Sequence, residues 1–181
     1  MVTRNLDPYL DASQVVGELW QGAYPTAVPN LSKLIDVLVL CARELQPPPR
    51  VFPGIEIWYV PLYDRDYPLM PEEKVLAHIA AFHIRRSLDK GKSVLVTCNK
   101  GLNRSGLVSA LSLMYPVDSA LRGWPAIKTP GCLTSIQAIQ LVRRARGQNA
   151  LQNKHFLEHL VKSEDVCRIH RREGVGLRLV S

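Results

Sequence analysis

A cysteine, an arginine and a serine stand close together in a short polar segment and could between them transfer a phosphoryl group. Cys98 ends an apolar run, and Arg104 and Ser105 follow it after five residues. A thiolate is a strong nucleophile, and a guanidinium presents a planar fork that matches two oxygens of a phosphate. The hydroxyl of Ser105 could donate a hydrogen bond to the sulfur and help it to leave. This spacing predicts nucleophilic catalysis at phosphorus.

The residues between Cys98 and the apolar helix predicted after it are typical of a loop that binds phosphate. A short loop that enters a helix N-terminus directs several backbone N–H groups at one point, and this arrangement binds anions. Gly101 permits a positive φ and a close approach of the backbone. The dipoles that converge there favour the thiolate form of Cys98. The predicted phosphate-binding residues are Asn99, Lys100, Gly101, Leu102, Asn103 and Arg104.

A proton donor for the leaving oxygen is expected in the loop that follows an earlier apolar run. The leaving phenolate or alkoxide of a phosphate ester must be protonated, which requires a general acid. Asp64 comes directly after the run 55–62, and Asp66 stands two residues further on. Asp64 is the preferred general acid, and Asp66 is the alternative.

The elements that must position these groups follow the pattern of an α/β domain. Short β-branched or aromatic runs predict buried strands, and apolar residues at helical spacing predict helices. The predicted strands cover 36–41, 55–62 and 93–98, with one or two shorter edge strands within 15–24. The predicted helices begin at Pro71, just after Cys98, at Thr134 and near Asn153. Strands that alternate with helices predict a central, mostly parallel sheet flanked by helices.

Composition and charge fit a single domain of residues 1–181 with an anionic partner. Apolar residues make up 46% and charged residues 22% of the chain, which is ordinary for a globular domain. The net charge of +7 favours anionic partners. Arg143, Arg144 and Arg146 and a basic tail at about 163–181 carry part of this charge. They form either a solvated face or a surface that steers an anionic substrate.

Cysteine and hydropathy patterns predict the cellular setting. Cys41, Cys98, Cys132 and Cys167 include no Cys-x-x-Cys pair, which suits free thiols in a reducing compartment. No apolar run approaches the ~20 residues that a bilayer-spanning helix needs, and the first residues lack the apolar centre of a signal peptide. We therefore expect an intracellular, cytoplasmic protein without membrane insertion, and a nuclear location stays open.

The segment 94–110 resembles the phosphate-binding loop of the cysteine-dependent phosphatases with a C-x5-R signature, above all their dual-specificity branch. The shared features are the strand before Cys98, the Ser105-Gly106 pair after Arg104, and Asp64 upstream. The resemblance extends to WQGAYP and VPLYD earlier in the chain and to AIQLVRRAR and NKHFLEHL later in it. It implies a phosphatase that hydrolyses phosphotyrosine, and also phosphoserine or phosphothreonine, in a phosphorylated protein through a thiophosphate-enzyme intermediate. It implies no metal and no organic cofactor.

Two features depart from that family. Thr97 stands before the cysteine, where the family usually has a histidine that helps to fix the loop. The connection at about 115–132 is longer than usual and contains Arg122, Trp124 and Lys128. We interpret it as an extra surface loop near the catalytic face, which either contacts substrate or is inert.

Three other functions stay open at this point. The loop 100–106 also resembles the GxNRTG form of phosphatases that act on RNA 5′ ends, so an RNA 5′-triphosphatase with RNA as its partner is one alternative. Lys100 beside the nucleophile would suit a phosphoinositide phosphatase. A phosphate-binding module disabled by Thr97 is the third, and the presence of Cys98, Arg104 and Ser105 argues against it.

Two further patterns concern a redox partner and a metal. The stretch LCARE resembles one in a lipid phosphatase whose cysteine can form a disulfide with the nucleophile, so Cys41 is either a redox partner of Cys98 or a packed core thiol. His155, Glu158 and His159 match an H-x-x-E-H metal motif. The apolar spacing of their helix explains these residues without a metal, and no metal site is predicted.

Overall fold

A five-stranded sheet forms the centre of the computed structural model, which describes residues 6–7, 9–26, 30–117 and 131–167. Its strands are β1 (Ala12–Val16), β2 (Leu19–Ala23), β3 (Val37–Ala42), β4 (Glu56–Leu62) and β5 (Val94–Cys98). Their order across the sheet is β1-β2-β5-β3-β4. β1 and β2 are antiparallel, and the other neighbouring pairs are parallel. The predicted mostly parallel sheet is confirmed.

The neighbours of two strands differ from the sequence prediction. The sequence predicts edge strands within 15–24, but β2 lies inside the sheet between β1 and β5. β4, predicted as a buried strand, lies at an edge, and only Val60 and Leu62 of its residues are buried. β3 and β5 are buried along their whole length. An apolar run indicates that its side chains are buried, but it does not indicate which strands lie next to it in the sheet. Both errors follow from this.

The four predicted helices are present, and they cover one face of the sheet. They are α1 (Pro71–Asp89), α2 (Arg104–Met114), α3 (Ser135–Arg146) and α4 (Lys154–Lys162). Thr134 and Gln137 form the capping box that begins α3, as their spacing predicts. Within the described ranges, the opposite face is covered by connecting segments that contribute residues such as Leu10, Leu31 and Phe52. The helices thus flank the sheet on a single side, where they bury the larger core cluster.

The extra loop and the basic tail lie mostly outside the described residues. At the base of the loop, the N–H of Cys132 donates to the carbonyl of Tyr115 over 3.0 Å. Residues 118–130 and 168–181, which contain Arg122, Trp124 and Lys128, are not among those described. In the part of the chain that is described, no helix has the length and apolar character needed to cross a membrane.

A histidine pair joins α1 to α4. His78 hydrogen-bonds the Tyr115 hydroxyl at 2.9 Å and the Ser163 hydroxyl at 3.1 Å through its two ring nitrogens. The ring of His159 lies 5.2 Å from that of His78, and its buried Nε2 has no hydrogen-bond partner. Burial, with smaller contributions from His78, Lys74 and Lys162, lowers the pKa of His159 to about 4. His159 is therefore held neutral in the folded protein.

This neutral histidine predicts a loss of stability in mild acid. In the unfolded chain a histidine has a pKa of about 6.5, so between about pH 6.5 and 4 the unfolded state binds a proton that the folded state does not. The melting temperature is expected to fall across this range, and His159→Gln should reduce the slope. His83→Gln, at an exposed position on α1, serves as the control. Equal slopes in wild type and His159→Gln would contradict the prediction.

Candidate active site

The carboxyl ends of β4 and β5 lie at the same edge of the sheet, with β3 between them, beside a pocket of about 490 Å³. In parallel sheets, ligands bind at this edge because the connecting loops gather there. Cys98 is the last residue of β5, and Asp64 follows shortly after the end of β4. The pocket is lined by Asp64, Cys98, Asn99, Lys100, Leu102, Asn103, Arg104, Asn149 and Gln152. All the predicted phosphate-binding residues except Gly101 line it.

Cys98, which lines this pocket, contacts Ser105. The Cys98 sulfur is 3.3 Å from the Ser105 hydroxyl, which is within hydrogen-bond distance for sulfur. Both residues are buried, and Cys98 retains 3% exposure. Arg104 begins α2 directly after the loop, so the loop N–H groups and the positive end of this buried helix face the same pocket.

The phosphate loop is held from outside by two long polar side chains. Gln21 Nε2 donates to the carbonyl of Gly101 at 3.0 Å, and Arg146 Nε donates to the same oxygen at 3.2 Å. Arg146 Nη2 also donates to the carbonyl of Lys100 at 3.3 Å. In a trans peptide, the N–H points opposite to the C=O. Carbonyls held outward therefore turn the N–H groups of Gly101 and Leu102 inward.

Gly101 is required by the contact between this loop and β2. Its φ is +67°, and a Cβ at this position would collide with the carbonyl group of Gly22. No side chain fits in this contact, and L-residues also disfavour this φ. The close approach places the loop within reach of Gln21, which is the neighbour of Gly22 on β2.

The guanidinium of Arg104 is held by the carboxylate of Glu44, which lies in the segment after β3. Its Nη1 and Nη2 donate to Glu44 Oε2 and Oε1 at 2.6 and 2.7 Å, and Nη1 also reaches the carbonyl of Leu62 at 3.4 Å. Burial opposes the charge of Arg104, but Glu44, Cys98 and Asp64 together raise its pKa. The hydrogen bonds from Arg104 lower the pKa of Glu44. The Arg104 Nε is buried without a hydrogen-bond partner.

Asp64 and Asp66 occupy different surroundings. Asp64 lines the pocket, where Asn103 Nδ2 lies 3.1 Å from its Oδ2 and Asn153 Nδ2 lies 3.0 Å from its Oδ1. Asp66 Oδ1 instead pairs with Lys154 at 3.1 Å and approaches His155 at 3.7 Å, and its side chain is 85% exposed. The choice of Asp64 as the general acid stays a prediction, and this geometry supports it.

Thr97 and Cys41 lie beneath the pocket. The Thr97 hydroxyl donates to the carbonyl of Val39 at 3.2 Å, which ties β5 to β3 below the loop. Cys41, on β3, is buried, and burial followed by the charge of Cys98 raises its pKa well above the ordinary value. The Cys41 thiol is therefore protonated at neutral pH. Its role as a redox partner stays a prediction.

The histidines of the H-x-x-E-H pattern make separate contacts. His155 faces Asp66, while His159 packs on His78. Nowhere in the described ranges do three or more His, Cys, Asp or Glu side chains form a group that could hold a metal ion.

The sequence analysis missed four residues that shape this site: Gln21, Glu44, Arg146 and Asn153. It counted Arg146 only as surface charge and Asn153 only as a helix start. A signal was present for Glu44, since a charged residue just after a buried strand lies at the ligand-binding edge of a parallel sheet. For the other three, no local pattern indicated a role.

Comparison with known proteins places this geometry in a structural class. No family model matches the chain, and no curated protein matches it. A mouse dual specificity phosphatase, solved in complex with zinc tungstate, superposes with a TM-score of 0.68 at 24% identity, over 94% of this chain and 96% of that one. The chain has the fold of the dual-specificity phosphatases.

Further phosphatase structures agree with this dual-specificity phosphatase fold. Human DUSP28 superposes with a TM-score of 0.66 at 24% identity, over 90% of this chain and 97% of that one. A mutant form of Tk-PTP gives a TM-score of 0.66 at 22% identity, over 88% of this chain and 97% of that one. The predicted α/β architecture and the predicted resemblance are thus confirmed for the fold.

Proposed function

We propose that the protein is a phosphatase that hydrolyses phosphate monoesters through a thiophosphate formed on Cys98. One observation carries this proposal: the Cys98 sulfur lies 3.3 Å from the Ser105 hydroxyl, and Cys98 lines the same pocket as Arg104 and most residues of the loop. A packed structural cysteine would need neither the pocket nor the converging donors. The phosphatase structures that share the fold support the same reaction class.

In the first step, Cys98 displaces the leaving group. The phosphate accepts hydrogen bonds from the loop N–H groups and from Arg104, which stabilise the charge of the transition state. The sulfur lone pair forms the S–P bond as the bond from phosphorus to the leaving oxygen breaks. Protonated Asp64 gives its proton to that oxygen.

In the second step, water hydrolyses the thiophosphate. The Asp64 carboxylate takes a proton from the attacking water, whose oxygen forms a new bond to phosphorus. The S–P bond breaks, and its electron pair returns to sulfur. The Ser105 hydroxyl is placed to donate a hydrogen bond to this thiolate. Inorganic phosphate leaves, and the enzyme regains its starting protonation.

We infer that the substrate is a phosphorylated protein. A phenolate or alkoxide leaves poorly without a proton, since the pKa of phenol is near ~10, and an aspartate held in the pocket supplies one. A nucleoside diphosphate leaves readily and gains less from an acid. The position of Asp64 therefore favours phosphotyrosine, phosphoserine or phosphothreonine over a 5′-triphosphate RNA.

A turnover panel tests both the reaction and the substrate. It compares phosphotyrosine and phosphothreonine peptides, a phosphoinositide and a 5′-triphosphate RNA, with Cys98→Ser as the blank. Asp64→Asn should lower kcat on the peptides by ~10²–10⁴, which is the usual contribution of general acid–base catalysis. Asp66→Asn removes only an exposed ion pair, and should leave kcat close to that of wild type.

Three outcomes would contradict the proposal. Turnover equal to the Cys98→Ser blank on every substrate would exclude the enzymatic function. If Asp66→Asn carried the loss instead, the general acid would be Asp66. If the RNA were turned over fastest and neither aspartate mattered, an RNA 5′-triphosphatase would replace the protein phosphatase.

A further inference from the structure

The N-cap residue of α4 holds the loop that carries the proposed general acid. Asn153 Oδ1 accepts hydrogen bonds from the N–H groups of His155 and Phe156 at 3.0 and 3.4 Å, which begins the helix. Its Nδ2 donates to Asp64 Oδ1 at 3.0 Å and to the carbonyl of Arg65 at 2.9 Å. A single amide therefore binds both the carboxylate and the backbone of the acid loop.

The Asn153 side chain is attached to a well-packed part of the molecule, whereas the Asp64 side chain that it binds is not. Phe156 and Leu160 of α4 are 1% and 0% exposed and belong to the main core cluster. Asp64 is exposed and lies in a segment without regular structure between β4 and α1. An exposed aspartate visits several rotamers, and ordering it costs entropy. Two hydrogen bonds from Asn153 favour one position of Asp64 before substrate arrives.

A second amide joins the Asp64 carboxyl group to the phosphate loop. Asn103 Nδ2 donates to Asp64 Oδ2 at 3.1 Å and lies 3.4 Å from Oδ1. Asn103 is the residue before Arg104. Asn153 and Asn103 together therefore hold the Asp64 carboxyl group beside the phosphate loop.

The other contacts between the acid loop and α4 cannot position Asp64. Asp66 pairs with Lys154 and approaches His155, but the side chains of Asp66 and Lys154 are 85% and 63% exposed. Exposed ion pairs of this kind contribute little. Neither contact touches Asp64.

We propose that Asn153 is a positioning residue that presents the Asp64 carboxyl group to the leaving oxygen of the substrate. The proposal rests on the phosphatase function and the acid assignment argued above. Loss of this positioning should affect only the proton transfer. The cost should grow with the basicity of the leaving group.

The test uses two variants that keep the helix cap. Serine and aspartate both cap helices well, but serine is too short to reach Asp64, and aspartate replaces the donor by an acceptor. For Asn153→Ser and Asn153→Asp we expect kcat/KM on phenyl phosphate to fall by ~10–10², the cost of a misplaced general acid. On dinitrophenyl phosphate, whose leaving group needs no proton, kcat/KM should stay within about threefold of wild type, because it reports only the first step.

Two controls separate positioning from stability and from the function itself. Thr134→Ala removes the cap of α3; it should lower the melting temperature without any dependence of kcat/KM on the leaving group. Asp64→Asn should show the same dependence as the Asn153 variants, only larger. A uniform loss on both substrates, or no loss, in the Asn153 variants would overturn the positioning role while Asp64→Asn upholds the phosphatase mechanism. Absence of leaving-group dependence in Asp64→Asn would instead overturn the proposed acid.

Discussion

Cys98→Ser is expected to lower kcat on phenyl phosphate by at least ~10⁴, the scale seen when a covalent enzyme loses its nucleophile. A serine hydroxyl remains protonated at neutral pH, and no base is placed within hydrogen-bond distance to activate it among the contacts that Cys98 makes in the described structure. Phosphate binding should survive, because the loop amides and Arg104 do not depend on the sulfur. The variant should therefore bind substrate without turning it over.

Two measurements check this expectation together. Steady-state assays give kcat, and calorimetry with phenylphosphonate, which cannot be hydrolysed, gives the binding constant. Cys132→Ser is the matched control, since Cys132 is an exposed thiol outside the pocket lining. Residual turnover of several per cent in Cys98→Ser would exclude the thiolate mechanism. Lost affinity for phenylphosphonate would show that Cys98 also shapes the phosphate loop.

The parts of the site that the sequence predicts are those that are local in the chain. One strand–loop–helix unit contains Cys98, the loop, Arg104 and Ser105. Their spacing in the sequence therefore determines their relative positions in space. The strand predicted at 93–98 is β5, and the helix predicted after it is α2. Asp64 is predicted less directly, because only its place after β4 brings it to the same edge of the sheet.

The parts that the sequence does not predict depend on contacts between distant segments. Glu44 reaches Arg104 across 60 positions, Gln21 reaches Gly101 across 80, and Asn153 reaches Asp64 across 89. The first two contacts follow from the order of the strands, in which β2 and β3 both lie beside β5. The third joins the start of α4 to the loop after β4. The apolar pattern of each strand is compatible with several orders, so these partners become visible only in the fold.

Arg104 shows how such a distant partner completes a local motif. Glu44 takes Nη1 and Nη2 in a bidentate pair, and this leaves the buried Nε without a partner. We expect the edge of the guanidinium formed by Nε and the neighbouring Nη group to bind two oxygens of the phosphate. Glu44 also holds the plane of the group in one orientation, since a bidentate pair fixes both position and rotation. Glu44 should therefore orient the Arg104 guanidinium before a phosphate ligand binds.

Arg104→Lys is accordingly expected to lower kcat by ~10²–10³, the cost of losing a transition-state donor, and to weaken phenylphosphonate binding. Lysine keeps the positive charge, but its ammonium is a compact point charge and not a planar fork. It would therefore bind either Glu44 or the phosphate, and could not bind both. Arg86→Lys, at an exposed position on α1, controls for the change of residue type. Assays of kcat and calorimetry on both variants give the answer. An Arg104→Lys enzyme with near-normal kcat and affinity would mean that the phosphate binds away from the guanidinium, and that the Arg104–Glu44 pair serves the fold alone.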